Sequence, residues 1–436
     1  MGCPTAASRS APCPRASGLA VLRTRVFQGL LLAVSVVLLL GPADGAWARK
    51  RNAADKTASA AKAPAQAAQP AVAVKLGFLT ASVTEGVGPF FDPIPPDLGV
   101  QGARLAIGDN NTTGQFTGQR FELTEVVLEA QADPLPAFEN LLQQGIEYVL
   151  VNLPAEHIVA LQRSVGSRQV LVFDVASRDD RLRAEDCAGD VLHTLPSHAM
   201  LADALGQYLL QKRWMKWFLV VGSAPGDALF AAAVERSAKR FGAKIAVRKP
   251  WEHSFDDRRT PASEVPVFTQ GVDYDVLVVA DEQGAFGDEL SYRTWLPRPV
   301  VGTQGLVAAG WHPVHEAWGA IQLQHRFREK AGRGMREVDY GAWLAVRAIG
   351  EAATRVRSVQ FAAIRDYVLS DTFALAGFKG VPLSFRSWDR QLRQPVLLAQ
   401  PRALVAVAPV EGIIHPKNEL DTLGYDESES GCRLSR

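Results

Sequence analysis

Residues Ile146–Asp174 read IEYVLVNLPAEHIVALQRSVGSRQVLVFD. Two apolar runs, Ile146–Val151 and Gln169–Asp174, flank the stretch Ala155–Val165, whose apolar residues recur at helical spacing. Strands that are apolar without alternation, joined through a helix of about ten residues, predict a parallel sheet covered on both faces. Outward from this unit the pattern continues. Val74–Leu79 and Phe121–Leu128 read as strands, and Leu98–Asn110 and Pro134–Gln144 as helices.

The rhythm then repeats. Met200–Arg213 and Ala228–Phe241 read as helices, the second closed by Gly242, a residue suited to a helix C-terminus. Trp217–Val221, Lys244–Val247 and Asp275–Ala280 read as strands. Two successive α/β halves predict a two-lobed protein. Trp318–Ala331 and Asp339–Arg357 read as long helices, and in the second Tyr340, Leu344, Ala348, Ala352 and Val356 form one apolar stripe. Short strands are expected at Val381–Phe385, Pro395–Leu398 and Leu404–Val407, before a polar, acidic tail at Asn418–Arg436.

Composition bounds the function. The 436 residues are 47% hydrophobic and 21% charged with a net charge of +1, which argues against a disordered chain and gives no basic excess for nucleic acid. The four cysteines, Cys3, Cys13, Cys187 and Cys432, include no C-x-x-C pair and exclude a zinc ribbon.

Residues 1–25 carry four arginines and no acid, Val26–Leu40 is an apolar run, and Ala46-Trp47-Ala48 is a small-residue cleavage pattern. That order predicts a signal peptide over residues 1–48. The run is shorter than the ~20 residues of a spanning helix, so no stable membrane insertion is expected after cleavage. Residues 49–70 are rich in Ala, Lys, Gln and Pro and are expected to form a flexible linker. The mature protein is therefore expected in the periplasm. Cys187 and Cys432 remain after cleavage and are expected to form one disulfide in that oxidising compartment, clamping the tail to the loop after the fourth strand. Two free thiols are the alternative.

Several segments carry a resemblance. VKLGFLT at 74–80, GARLAIGDNNTTGQFTGQRFEL at 102–123, YDVLVVADEQGAFGDEL at 274–290 and FKGVPLSFRSWDRQLRQPVLLAQ at 378–400 resemble, in order and spacing, type I periplasmic substrate-binding proteins of ABC transporters, the leucine/isoleucine/valine-binding branch. PRPVVGTQGL, WGAIQLQHRF, DYGAWLAVRAIGEAATR and RQLRQPV are similar to a subgroup found beside alcohol oxidation systems that depend on pyrroloquinoline quinone (PQQ). The resemblance implies an α/β fold of two Rossmann-like lobes joined by a three-crossing hinge. It places lobe 1 at 71–196 and 306–370, and lobe 2 at 197–305 and 371–436. It further implies a solute-binding component that delivers a small molecule to permease and ATPase subunits, with no cofactor and no enzymatic activity. The alternative is a periplasmic receptor that regulates a quinoprotein oxidation system without feeding transport.

Such proteins hold ligand between the lobes, near strand C-terminal ends. The resemblance then points to Glu156 after the third strand, Ser177 after the fourth, Glu282 in the second lobe and Gln304 where the family often carries an acid. Helix capping or a solvated loop is the structural alternative for Glu156, Ser177 and Glu282. Phe90 and Phe91 either wall the cleft or pack beneath the proline-rich loop GPFFDPIPPD. The family's Gly- and Ser-rich loop after the third strand is replaced here by Asn152-Leu153-Pro154-Ala155-Glu156-His157. Together with Gln304 this predicts weak binding of branched-chain amino acids. His312 and His315 have the spacing of a helical metal pair, but Pro313 lies between them and no third ligand is fixed by spacing. The motifs G-x-S-x-G, G-x-x-x-x-G-K-[ST], H-E-x-x-H and G-x-G-x-x-G are all missing, so nothing in the sequence argues for an enzyme.

Overall fold

The computed structural model describes residues 72–82, 93–251 and 261–434, all within the unit Ala65–Arg436. The expected signal peptide and linker, and Phe90 and Phe91, lie outside the described residues.

The first sheet is built from β1 (Val72–Ala81), α1 (Val100–Thr117), β2 (Gln119–Leu128), α2 (Leu135–Gln143), β3 (Tyr148–Asn152), α3 (Ala155–Val165), β4 (Leu171–Asp174) and β5 (Val191–His193). Its five strands are parallel in the order β2-β1-β3-β4-β5. Val149, Leu150, Val151, Leu171 and Val172 are buried, as expected of strands covered on both faces. Register pairs Thr80 with Asn152 and Val151 with Asp174, so the C-terminal strand ends form one rim.

α1 runs past Asn110, where the sequence suggested an end. The Asn110 amide does not terminate its own helix; Nδ2 donates 2.9 Å to the Val346 carbonyl of a later helix. That helix passes so close that a Cβ at Gly102 would overlap the Asp339 carbonyl oxygen, a contact only glycine permits.

The second sheet follows with α4 (His198–Gln211), β6 (Lys216–Val221), α5 (Pro225–Phe241), β7 (Lys244–Pro250), α6 (Pro261–Thr269), β8 (Val276–Ala280), α7 (Gly287–Leu290), β9 (Val300–Gly302) and β10 (Leu306–Ala309). The chain then returns to the first core with α8 (Ala320–Ala331), α9 (Glu337–Val356) and α10 (Phe361–Val368). A small three-stranded sheet follows, of β11 (Leu375–Ala376), β12 (Pro382–Phe385) and β13 (Leu392–Arg393). Finally β14 (Val396–Gln400) and β15 (Ala403–Ala408) complete the second sheet in the order β15-β14-β10-β9-β8-β6-β7.

Each sheet with its helices makes one lobe, and the chain passes between them after β5, after β10 and between β13 and β14. Two of these passages differ from the sequence expectation. Leu306–Ala309 pairs with β9 and β14 in the second sheet rather than opening a first-lobe segment at 306. Leu375, Leu383, Phe385 and Leu392 are buried in the first core rather than in the second lobe beginning at 371. The physical reason is strand length: two-residue strands such as β11 and β13 carry too little pattern to reveal which core they join. The passages are tied together, with Gln394 Nε2 donating 2.6 Å to the Thr194 carbonyl. Among the described residues no helix is long and apolar enough to cross a membrane.

Candidate functional site

The rim of the first sheet presents the loop after β4. Asp174 is buried at the strand end and fixes this loop: Oδ1 accepts from the amides of Ala176 at 3.1 Å and Ser177 at 2.8 Å. Arg183 Nη2 donates 3.0 Å to the Ser177 carbonyl. The Ser177 hydroxyl accepts from the Asp179 amide at 3.3 Å, within its own loop. The next side chain, Arg178, is left to reach across. It pairs with Glu337 in the first turn of α9, and its Nη1 lies 3.9 Å from Glu282 Oε1 of the other lobe.

The second lobe meets this loop with the segment after β8. Asp281 is buried and accepts from the amides of Ala285, Phe286 and Gly287 at 2.7–2.9 Å, which makes it the brace of the turn. Glu282 follows. Its amide donates 2.8 Å to Asp227 Oδ1, and its Oε1 accepts from His198 Nε2 at 2.7 Å. A Cβ at Gly226 would overlap Glu282 Oε2, so the glycine near the start of α5 leaves room for this carboxylate. His198 belongs to α4, and its amide donates 2.9 Å to the Arg178 carbonyl. Its Nδ1 is buried with no partner among the described residues.

Burial pushes the Glu282 carboxyl up, but the hydrogen bond from His198 and the charges of His198 and Arg178 outweigh it and hold the group below the usual glutamate range. The Glu337 charge, opposed by burial and aided by Glu282, reinforces the charged form of Arg178. The cluster thus joins one guanidinium, two carboxylates and an imidazole at the meeting of the two lobes.

Of the residues singled out from sequence, Glu282 is in this cluster and Ser177 adjoins it. Gln304 does not face it freely: its Nε2 donates 2.9 Å to the Asp281 carbonyl and its Oε1 accepts from Thr303 Oγ1 at 2.5 Å. Glu156 is exposed in the first turn of α3. Sequence reasoning passed over Arg178, His198 and Glu337, although Arg178 stands directly after Ser177. His315 Nε2 donates to the Phe378 carbonyl at 2.8 Å, and no metal-ligand group of three occurs among the described residues. Cys187 and Cys432 are joined by a disulfide with Cα atoms 5.6 Å apart. Hollows of about 580 and 490 Å³ lie away from the cluster, one beside Tyr292 and Arg298 and the other beside Trp318 and Phe378.

Two sheets of this topology joined by three passages define the two-lobed type I periplasmic binding protein fold. Residues 73–258 match a family model described as periplasmic binding protein. Among solved structures, the chain is similar to a branched-chain amino acid ABC transporter periplasmic ligand-binding protein from Burkholderia xenovorans LB400. That match has 17% identity and a TM-score of 0.65, over 82% of this chain and 99% of the other. A leucine-, isoleucine-, valine-, threonine- and alanine-binding protein from Brucella ovis matches at 14% identity and TM-score 0.61, over 83% and 99% of the two chains. An ABC transporter solute-binding protein from R. palustris in complex with benzoate matches at 11% and 0.61, over 83% and 100%. The search of curated proteins gives no match. The matched proteins are ligand-binding proteins by description, not enzymes.

Proposed function

We propose that this protein is the periplasmic solute-binding component of an ABC transporter, closing its lobes on a small molecule where Arg178, His198, Glu282 and Glu337 converge. The observation that carries this reading is the approach of Arg178 and Glu282 to 3.9 Å from opposite lobes, at the C-terminal ends of β4 and β8. Ligands of sheets of this type sit at such ends. Permease and ATPase subunits are the partners that accept the delivered solute.

The ligand is a small, partly apolar molecule bearing hydroxyl or amine groups, and the resemblance to the subgroup beside PQQ-dependent systems points to alcohol oxidation. A ligand carboxylate would meet both Glu282 and Glu337, and like charges at close range cost affinity. Thermal shift against alcohols, aldehydes, amines, the quinone cofactor and a matching set of carboxylates tests this. A ligand at 100 times its Kd adds ~2.7 kcal/mol of stability. A shift from the first set supports the reading; a shift from carboxylates alone overturns the ligand class.

A further inference from the structure

The C-terminal tail touches both lobes. After β15 it lies over the second lobe: Leu423 is buried in that core, and the Gly424 amide donates 2.9 Å to Asp203 Oδ2 of α4. Asp421, fully buried, meets Arg386 Nε at 2.9 Å, and Arg386 follows β12, whose Leu383 and Phe385 are buried in the first core. The chain then reaches the first lobe itself. Ser430 Oγ donates 3.1 Å to the Arg183 carbonyl, and Cys432 is disulfide-bonded to Cys187. Cys187 lies in the segment between β4 and β5, the same segment that carries Arg178.

We propose that Val410–Cys432 is a strap between the lobes, fastened covalently at Cys187, that limits how far they open. The three passages between the sheets are the only other main-chain connections among the described residues. A hinge of three linkers permits rotation. A fourth connection, buried on one lobe and covalently bonded to the other across 245 residues of chain, constrains that rotation. Without the disulfide, the tail's end is held to the first lobe by polar contacts such as Ser430 with Arg183, which open far more readily than a covalent bond.

The test uses ligand-free protein, so its result does not depend on the proposed transport function. Maleimide nitroxide labels at Phe116→Cys and Tyr292→Cys, positions 88% and 92% exposed, report the distance between the lobes by pulsed electron resonance. The disulfide-bonded protein is expected to give one narrow distribution, and the same protein with Cys187→Ser and Cys432→Ser a broader one extending to longer distances. Superimposable distributions overturn the strap. So does failure of the variant to fold, because the bridge is then a requirement of the fold. A second measurement keeps the wild-type sequence. A phosphine reduces the disulfide of folded protein to two thiols, water supplying the two protons and the oxygen of the phosphine oxide, and hydrogen exchange is followed. Faster exchange in peptides spanning Thr194–Ser197 and Gln394–Pro395 supports the strap; unchanged exchange there overturns it.

Discussion

His198 Nε2 stands 2.7 Å from Glu282 Oε1, and the guanidinium of Arg178, from the opposite lobe, stands 3.9 Å from the same oxygen. One carboxylate therefore serves a helix of its own lobe and a loop of the other. Because the folded-state carboxyl titrates below its unfolded counterpart, it contributes stability above about pH 4.3, the unfolded value. That contribution is lost as pH falls through the lower folded value. Thermal melts between pH 3 and 6 are expected to show a smaller acid loss in Glu282→Gln than in the wild type. An identical acid profile would remove the assigned role.

Lys379 is buried, and its Nζ donates to Gln394 Oε1 at 2.8 Å and the Pro395 carbonyl at 2.7 Å, beside the third passage between lobes. Burial pushes its pKa down to about 7, against the weaker pull of the Glu337 charge. The unfolded chain then binds more protons between about pH 7 and pH 10.4, so this group makes stability rise with pH across that window. Denaturant melts at pH 7 and 9.5 are expected to differ more in the wild type than in Lys379→Met. Equal differences would place the amine in water.

Asp421, fully buried, joins the buried Arg386 and the partly buried Arg393 at 2.9 and 2.8 Å. Replacing it with alanine leaves Arg386 with Asp389, 3.5 Å away, as its remaining carboxylate. Removing one member of a buried pair costs on the order of 3 kcal/mol. Urea unfolding of Asp421→Ala is expected to show a loss of that size with an unchanged slope. A loss below about 1 kcal/mol would mean the pair is in practice solvated.

The β-α-β unit at 146–174 was legible because each strand is an unbroken apolar run and the intervening helix keeps one register. α3 occupies Ala155–Val165, as its sequence suggested. β9, β11 and β13, of two or three residues, were not legible, because so short a strand carries no period, and the four residues of β10 were taken into the returning segment of the first lobe. The cluster at the lobe junction was half legible. Glu282 follows a clear strand, but Arg178 meets Glu337 across 159 residues and His198 meets Glu282 across 84. Each of those charges, read alone, is an ordinary surface residue. The tail was read as polar and acidic, yet Asp421, Thr422 and Ser430 are buried because Arg386, Gln207 and Arg183 wait for them across the fold.

Leucine, isoleucine and valine are expected to bind weakly. The Gln304 amide is committed to the Asp281 carbonyl, and Pro154 offers no amide donor after β3. At the junction of the lobes Arg178 is already paired with Glu337, and a ligand carboxylate left without a partner loses about 1–3 kcal/mol, or roughly tenfold or more in affinity. Isothermal titration calorimetry is expected to find no sub-micromolar binding of the three; a sub-micromolar Kd for any one contradicts this.

The most direct measurement is native mass spectrometry of the protein taken undenatured from the periplasm, wild type beside a variant carrying Arg178→Ala and Glu282→Ala. A small-molecule adduct is expected on the wild type and not on the variant, with both chains folded by circular dichroism. An adduct held equally by both, or none on the wild type after incubation with alcohols and amines, would contradict binding at the junction of the two lobes.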